Sequence, residues 1–201
     1  NLKSAFPSLD RMPISRDSET TVHLVIVGFS AQAEALAINA TLVAHYPNYC
    51  RDTRLRTRIT IIDEHVYDGR DRLTQRYVHL FDNSYYRTID LFDATPECKP
   101  QHPMYEKSRK DFVDVEWEFV NGNIRNTAVR RKLTEWSSDC LQQLTIAICH
   151  TDLNKNYSEA FGLPQIIYKN EIPILCHAED DDMLRIRSRS EERFSRNAET
   201  D

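Results

Sequence analysis

The apolar positions of this chain switch repeatedly between two periods. Val22 to Val27 is a continuous run broken only by His23. A run that short, apolar and β-branched predicts a strand buried on both faces. Ala31 to His45 then sets Ala33, Leu36, Ala37, Ala40, Val43 and Ala44 at helical spacing, and Pro47 ends the helix. Ile59 to Glu64, "ITIIDE", predicts a second buried strand closing on two acids. His65 to Asp82 is polar but keeps Leu73, Tyr77 and Leu80 at helical spacing, which predicts one helix. From Asn83 to Arg109 the pattern weakens among Pro96, Pro100 and Pro103. This stretch is expected to be an irregular insertion with one short strand or helical turn near Thr88 to Phe92.

Regular patterning resumes at Asp111 to Gly122. Phe112, Val113, Val115, Trp117 and Phe119 give a strand with one more polar face, ended by the turn signal Asn121-Gly122. Thr127 to Cys140 predicts a helix with Val129, Leu133 and Trp136 on one side. Leu144 to His150 predicts a buried strand. Thr151 and Asp152 are caps for a helix that runs to Gly162-Leu163-Pro164. Ile172 to His177 predicts a last buried strand. Strands alternating with helices imply right-handed crossovers and a parallel sheet. The expected fold is therefore α/β: a doubly wound, mainly parallel sheet in a Rossmann-like three-layer sandwich, switching strand order beside the first strand. Residues 1–20 read as an arm or linker, 21–180 as the domain with its insertion near 83–110, and 181–201 as a charged tail.

Composition narrows the function classes. The chain has 201 residues, 40 % of them apolar and 28 % charged, which suits one domain with a real core. A net charge of −5 argues against a general nucleic-acid binder. No apolar run approaches the roughly 18 residues a membrane span needs. The first residues, "NLKSAFPSLDRMPISRD", lack the apolar core of a signal peptide. The chain starts at Asn and ends in "RSRSEERFSRNAETD", and reads as a piece of a longer protein. Its cysteines number five, with no CxxC pair, which points to reduced thiols in a cytoplasmic compartment. Cys98 and His102 have the spacing of half a metal site, but no second half follows.

In a sheet of this kind ligands bind outside the carboxyl ends of the strands, near the switch point. That selects the turn Gly28, Phe29, Ser30, Ala31, Gln32 and Ala33, whose helix-opening N–H groups could cradle a pyrophosphate. It selects Asp63 and Glu64, where an acid could bond ribose hydroxyls. It also selects His150, Thr151 and Asp152, which end the fourth strand, and His177, which ends the fifth. The usual fingerprint has three glycines; here the second and third positions hold Ser30 and Ala33. Each residue also has a plain structural reading. Gly28 could merely permit a tight turn, Ser30 cap the first helix, and Asp63 cap the second. Arg51, Arg54, Arg56 and Arg58 precede the second strand and fall at the far end of the sheet, as a solvated or partner-facing patch. Arg70 and Arg72 follow it and are better placed for a 2′-phosphate. There is no GxxxxGK[ST], GxSxG or HExxH motif, and the Tyr-x-x-x-Lys pair of short-chain dehydrogenases is absent after the middle strands.

The segments "HLVIVGFSAQAEALAINA", "ITIIDE" and "LTIAICHTDLNKNYSEAFGL" resemble the TrkA-N or RCK type of Rossmann domain, cytosolic regulatory domains of potassium channels and transporters. The family's strand, glycine turn and helix match Gly28 to Ala37, its acidic strand end matches Asp63, and its polar turn and helix match His150 to Asn156. The resemblance covers roughly Val22 to His177 and leaves 83–109 without a counterpart. It implies sensing of NAD(H) or an adenine nucleotide, coupling to a membrane gate, and pairing into a homodimer. Bacterial proteins that join a Rossmann-type region to a ryanodine-receptor-like repeat are a further expected home for such a piece. Two other readings stand beside it: an interaction module of Rossmann shape with no ligand, and an oxidoreductase with His150 or His177 as acid/base.

Overall fold

The computed structural model describes residue 9 and residues 11–92, 98–101, 114–178 and 183–186, of which 98–101 and 183–186 as backbone. Eight strands form one sheet: β1 (Thr21–Val27), β2 (Thr57–Asp63), β3 (Tyr85–Asp90), β4 (Cys98–Gln101), β5 (Val115–Asn121), β6 (Gln142–Ile148), β7 (Ile174–His177) and β8 (Met183–Ile186). Their order is β4-β3-β5-β2-β1-β6-β7-β8. The inner six are parallel, and β4 and β8 close the two edges antiparallel. The helices are α1 (Ala31–Val43), α2 (Val66–Arg76), α3 (Val78–Asp82), α4 (Thr127–Ser138), α5 (Leu153–Gly162) and α6 (Gln165–Lys169). The predicted doubly wound α/β sandwich is the fold observed.

Side-chain alternation sorts the apolar residues of β1 into two cores. Leu24 and Ile26 pack with Ala33, Ala37 and Ala40 of α1 and with Val66, Leu73 and Phe81 of α2 and α3. Val25 and Val27 pack the other way, with Val129 and Leu133 of α4, Ala160 of α5 and Ile167 of α6. Both faces of the parallel strands are thus covered, which is why their sequences read as continuous rather than alternating. Strand order switches at β1, whose neighbours are β2 and β6. The carboxyl ends of β1 and β6 therefore border the crevice where such sheets hold ligands.

Three expectations are corrected. The 65–82 helix is two helices, because Tyr77 leaves helical geometry (φ −119°, ψ 51°) after its N–H closes α2 on the Leu73 carbonyl. The break carries Phe81 onto the sheet, where its ring lies 5.0 Å from that of Trp117. The 83–110 insertion is not merely irregular. It supplies β3, which begins three residues before the expected strand, and β4, paired with it in a hairpin register from Tyr86↔Gln101 to Ile89↔Cys98. Pro100 falls within β4, an edge strand, where a missing N–H is tolerated. Met183–Ile186, read as part of the tail, pairs with β7. The arm is also partly anchored: Met12 and Gln143 exchange two hydrogen bonds, of 2.8 and 2.9 Å. The alternation at 112–113 and the residue His102 lie outside the described residues. Among those described, no helix is long and apolar enough to cross a membrane.

His23, the one polar residue in the β1 run, is buried between β2 and β6. Its Nδ1 lies 2.9 Å from Gln142 Oε1 and its Nε2 2.8 Å from Thr60 Oγ1. Burial first, then the charge of Arg58, pushes its pKa down to about 3, against a weaker opposing effect of the Gln142 bond. The folded value lies below the unfolded one, so the neutral ring's contribution is complete above pH 6.5 and is lost as pH falls towards 3. Denaturant melts at pH 6.5 and pH 5 should differ by about 2 kcal/mol from this group, at about 1.4 kcal/mol per pH unit. A His23→Gln variant should flatten that slope; an unchanged slope would remove His23 from the account.

Candidate functional site

The β1–α1 turn is built around Gly28, which has φ +94° and so uses the freedom only glycine has. Its N–H donates to the Ile62 carbonyl at 2.9 Å, tying the turn to the end of β2. A Cβ at Gly28 would stand 2.7 Å from His150 Nδ1 and 2.8 Å from the His150 backbone nitrogen. The carboxyl ends of β1 and β6 are therefore in close contact. Ser30 is the N-cap of α1: its Oγ accepts from Ala33 N–H at 3.2 Å and its carbonyl from Glu34 N–H at 3.0 Å. Ala31 is exposed and Gln32 half-buried at the opening of the helix. They stand in the first turn of α1, where backbone N–H groups have no intrahelical carbonyl to bond and the positive end of the helix dipole lies.

Asp63 joins this turn. Its Oδ2 accepts from Phe29 N–H at 3.1 Å and its Oδ1 from His65 N–H at 2.8 Å. The carboxylate thus fixes the β1 turn and the start of α2 together, while each oxygen keeps a further lone pair. The Phe29 ring lies parallel to Phe119 at 6.3 Å and passes over α2 at Gly69, where a Cβ would stand 2.2 Å from it. Arg72 sits over the same ring at 5.7 Å.

The other predicted residues separate. Glu64 turns away from the β1 turn and accepts a hydrogen bond from Asn123 Nδ2, beyond the end of β5. Thr151 is exposed. Asp152 is the N-cap of α5, accepting from Asn154 and Lys155 N–H at 2.9 and 3.4 Å. His150 remains in the crevice, with Nε2 held by Glu159 Oε2 at 2.6 Å. When Nε2–H is the donor in that pair, Nδ1 turns a lone pair toward Gly28. Arg70 binds Asp71 at 2.6 Å and Thr88 at 3.0 Å. Arg72 and Arg76 lie 3.8 and 3.0 Å from Glu34, buried on α1. The arginines at the far end also have local partners. Arg54 pairs with Asp52, Arg56 stacks over Tyr85 at 3.9 Å, and Arg58 lies 3.5 Å from Glu116.

Compared with models of protein families, with curated proteins and with solved structures, the chain matches none.

Sequence reasoning missed Asn156 and Glu159. Asn156 is fully buried, accepts from His150 N–H at 2.7 Å, and donates to the carbonyls of His150 and His177 at 3.0 and 3.1 Å. Its signal was spacing: residues 156 and 160 lie one turn apart on the face that carries Ala160 into the core. Cys149 and Cys176, beside this cluster, are held protonated by burial, which pushes their thiols up to about 12 and about 11. They are not nucleophiles. Among the described residues no cluster of three or more His, Cys, Asp or Glu could hold a metal ion.

Proposed function

We propose that this chain is a regulatory nucleotide-binding domain taking an NAD-type dinucleotide, or an adenine nucleotide, at the carboxyl edge between β1, β2 and β6. One observation carries the reading: the positive-φ Gly28 turn and the Asp63 carboxylate meet there through the Phe29–Asp63 bond. The opening N–H groups of α1 supply the phosphate side. The spare lone pairs of Asp63 supply acceptors for ribose hydroxyls, and its charge disfavours a 2′-phosphate. Phe29 N–H is already committed to Asp63, so phosphate contact falls to the residues from Ser30 onward. A cytoplasmic location accords with the free thiols of Cys50, Cys140, Cys149 and Cys176. Coupling to a potassium channel or transporter follows from the family resemblance alone.

The test is thermal melting with NAD, NADH, NADP, ATP and AMP. A ligand present at 100 times its dissociation constant should stabilise the chain by about 2.7 kcal/mol. NAD or AMP should exceed NADP, and Asp63→Ala should weaken binding at least tenfold. No shift with any of the five overturns the reading. A second reading, an interaction module with no ligand, is favoured by the His150 ring standing against Gly28 and by the two backbone bonds already on Asp63. Under it the five nucleotides leave the melt unchanged.

A further inference from the structure

On the sheet face opposite α1 and α2, the edge around β3 and β5 carries charge rather than a smooth apolar surface. Arg87 of β3 donates from Nε to Glu118 Oε2 at 2.7 Å, and its terminal nitrogen lies 2.7 Å from the same oxygen and 2.6 Å from Glu116. Both Arg87 contacts to Glu118 fall on one oxygen. Glu118 is only 3 % exposed, and its Oε1 is buried with no hydrogen-bond partner. A buried carboxylate oxygen left without a donor is costly, so native structures seldom leave one unexplained.

Glu118 lines an open cleft of about 580 Å³ between this edge and α4. Arg87 and Ile89 share its floor, and Arg131, Lys132 and Glu135 line its α4 side. The size falls within the range of small-molecule sites. Arg131 has Glu135 at 3.9 Å. Lys132 lies over the Trp136 ring at 5.7 Å and has no carboxylate within ion-pair reach among the described residues. Among the described residues the cleft therefore offers a carboxylate with one oxygen that lacks a donor, an ammonium that lacks a carboxylate, and an apolar lining residue.

We infer that this cleft binds a small zwitterion of the amino-acid class, its ammonium on Glu118, its carboxylate on Lys132 and an apolar side chain against Ile89. The cleft shares no residue with the Gly28–Asp63 site, and the inference stands apart from the nucleotide reading.

Titration calorimetry on the whole chain tests it with L-leucine, L-isoleucine, L-methionine and dipeptides of them. At least one should bind, and N-acetyl or amide forms of that ligand should bind at least tenfold more weakly, since each lacks one charge. Lys132→Met, at a partly exposed helix position, should fold normally and weaken the parent at least tenfold without altering any nucleotide shift. Absence of binding by every member of the panel overturns the inference. So does equal binding of blocked and unblocked forms, or unchanged binding to Lys132→Met.

Discussion

Asn156→Ala is expected to destabilise the chain by about 4 kcal/mol, because it orphans buried backbone groups at about 1 to 3 kcal/mol each. The wild-type amide serves three of them: the His150 N–H, the His150 carbonyl and the His177 carbonyl. Water cannot easily replace it, since the side chain is fully buried. The position matters because β7 is short. Its register with β6 runs only from Ile146↔Ile174 to Ile148↔Cys176, and Asn156 continues the link between these strands just past the last pair. For a chain of this length each kcal/mol moves the melting temperature by about 2 to 4 °C, so the loss should approach 10 °C or more. Asn156→Asp separates size from hydrogen bonding. It keeps an acceptor for His150 N–H but loses both donors and sets a carboxylate against two carbonyls. At pH 7 it should cost at least as much as alanine, with partial recovery as pH falls and the acid protonates. A loss below about 1 kcal/mol for the alanine variant would show that the amide is not the link between β6 and β7.

The same region shows where the sequence was legible. β1, β2 and β6 declared themselves because a parallel strand covered on both faces must be apolar throughout, and TVHLVIV, TRITIID and QQLTIAI largely are. β3 did not. In YYRTID one face is built on Arg87 bonded to Glu116 and Glu118, so cross-strand ion pairs stand where an apolar signal would be read. β4 carries a proline that argues against an inner strand and is harmless at an edge. The site divides in the same way. Gly28 and Asp63 could be placed from strand ends alone, and the fold brings them together through Phe29 N–H. Glu64, one residue on, points along a different turn, because adjacent residues leaving a strand diverge. Asn156 and Glu159 were hidden by residue type. A polar residue in a helix is ordinarily solvated, and only the fold shows that these two face the ends of β6 and β7.

Gly28→Ala should cost about 3 kcal/mol or more, from backbone strain of about 1 to 3 kcal/mol and overpacking of similar size. The strain follows from φ +94°, a region that L side chains rarely adopt. The overpacking follows from what an added Cβ would meet: His150 Nδ1 at 2.7 Å, His150 N at 2.8 Å and Cys149 C at 2.9 Å. The first of these is a side chain and can move. The other two are backbone of the β6 end, held by Cys149 N–H bonding to Val27 at 2.7 Å and by Asn156. Adding His150→Ala to Gly28→Ala should therefore recover less than half of the loss. Recovery of most of it would mean that the ring, not the backbone, sets the spacing between β1 and β6. Gly162→Ala supplies the control. It has open space around it, and at the end of α5 the change should be neutral or stabilise by up to about 1 kcal/mol. The outcome bears on the ligand as well as on the fold. If backbone fixes this spacing, no phosphate can enter between the ends of β1 and β6, and a nucleotide must lie across the outside of the turn. There the exposed opening of α1 and the Asp63 carboxylate are the groups within reach.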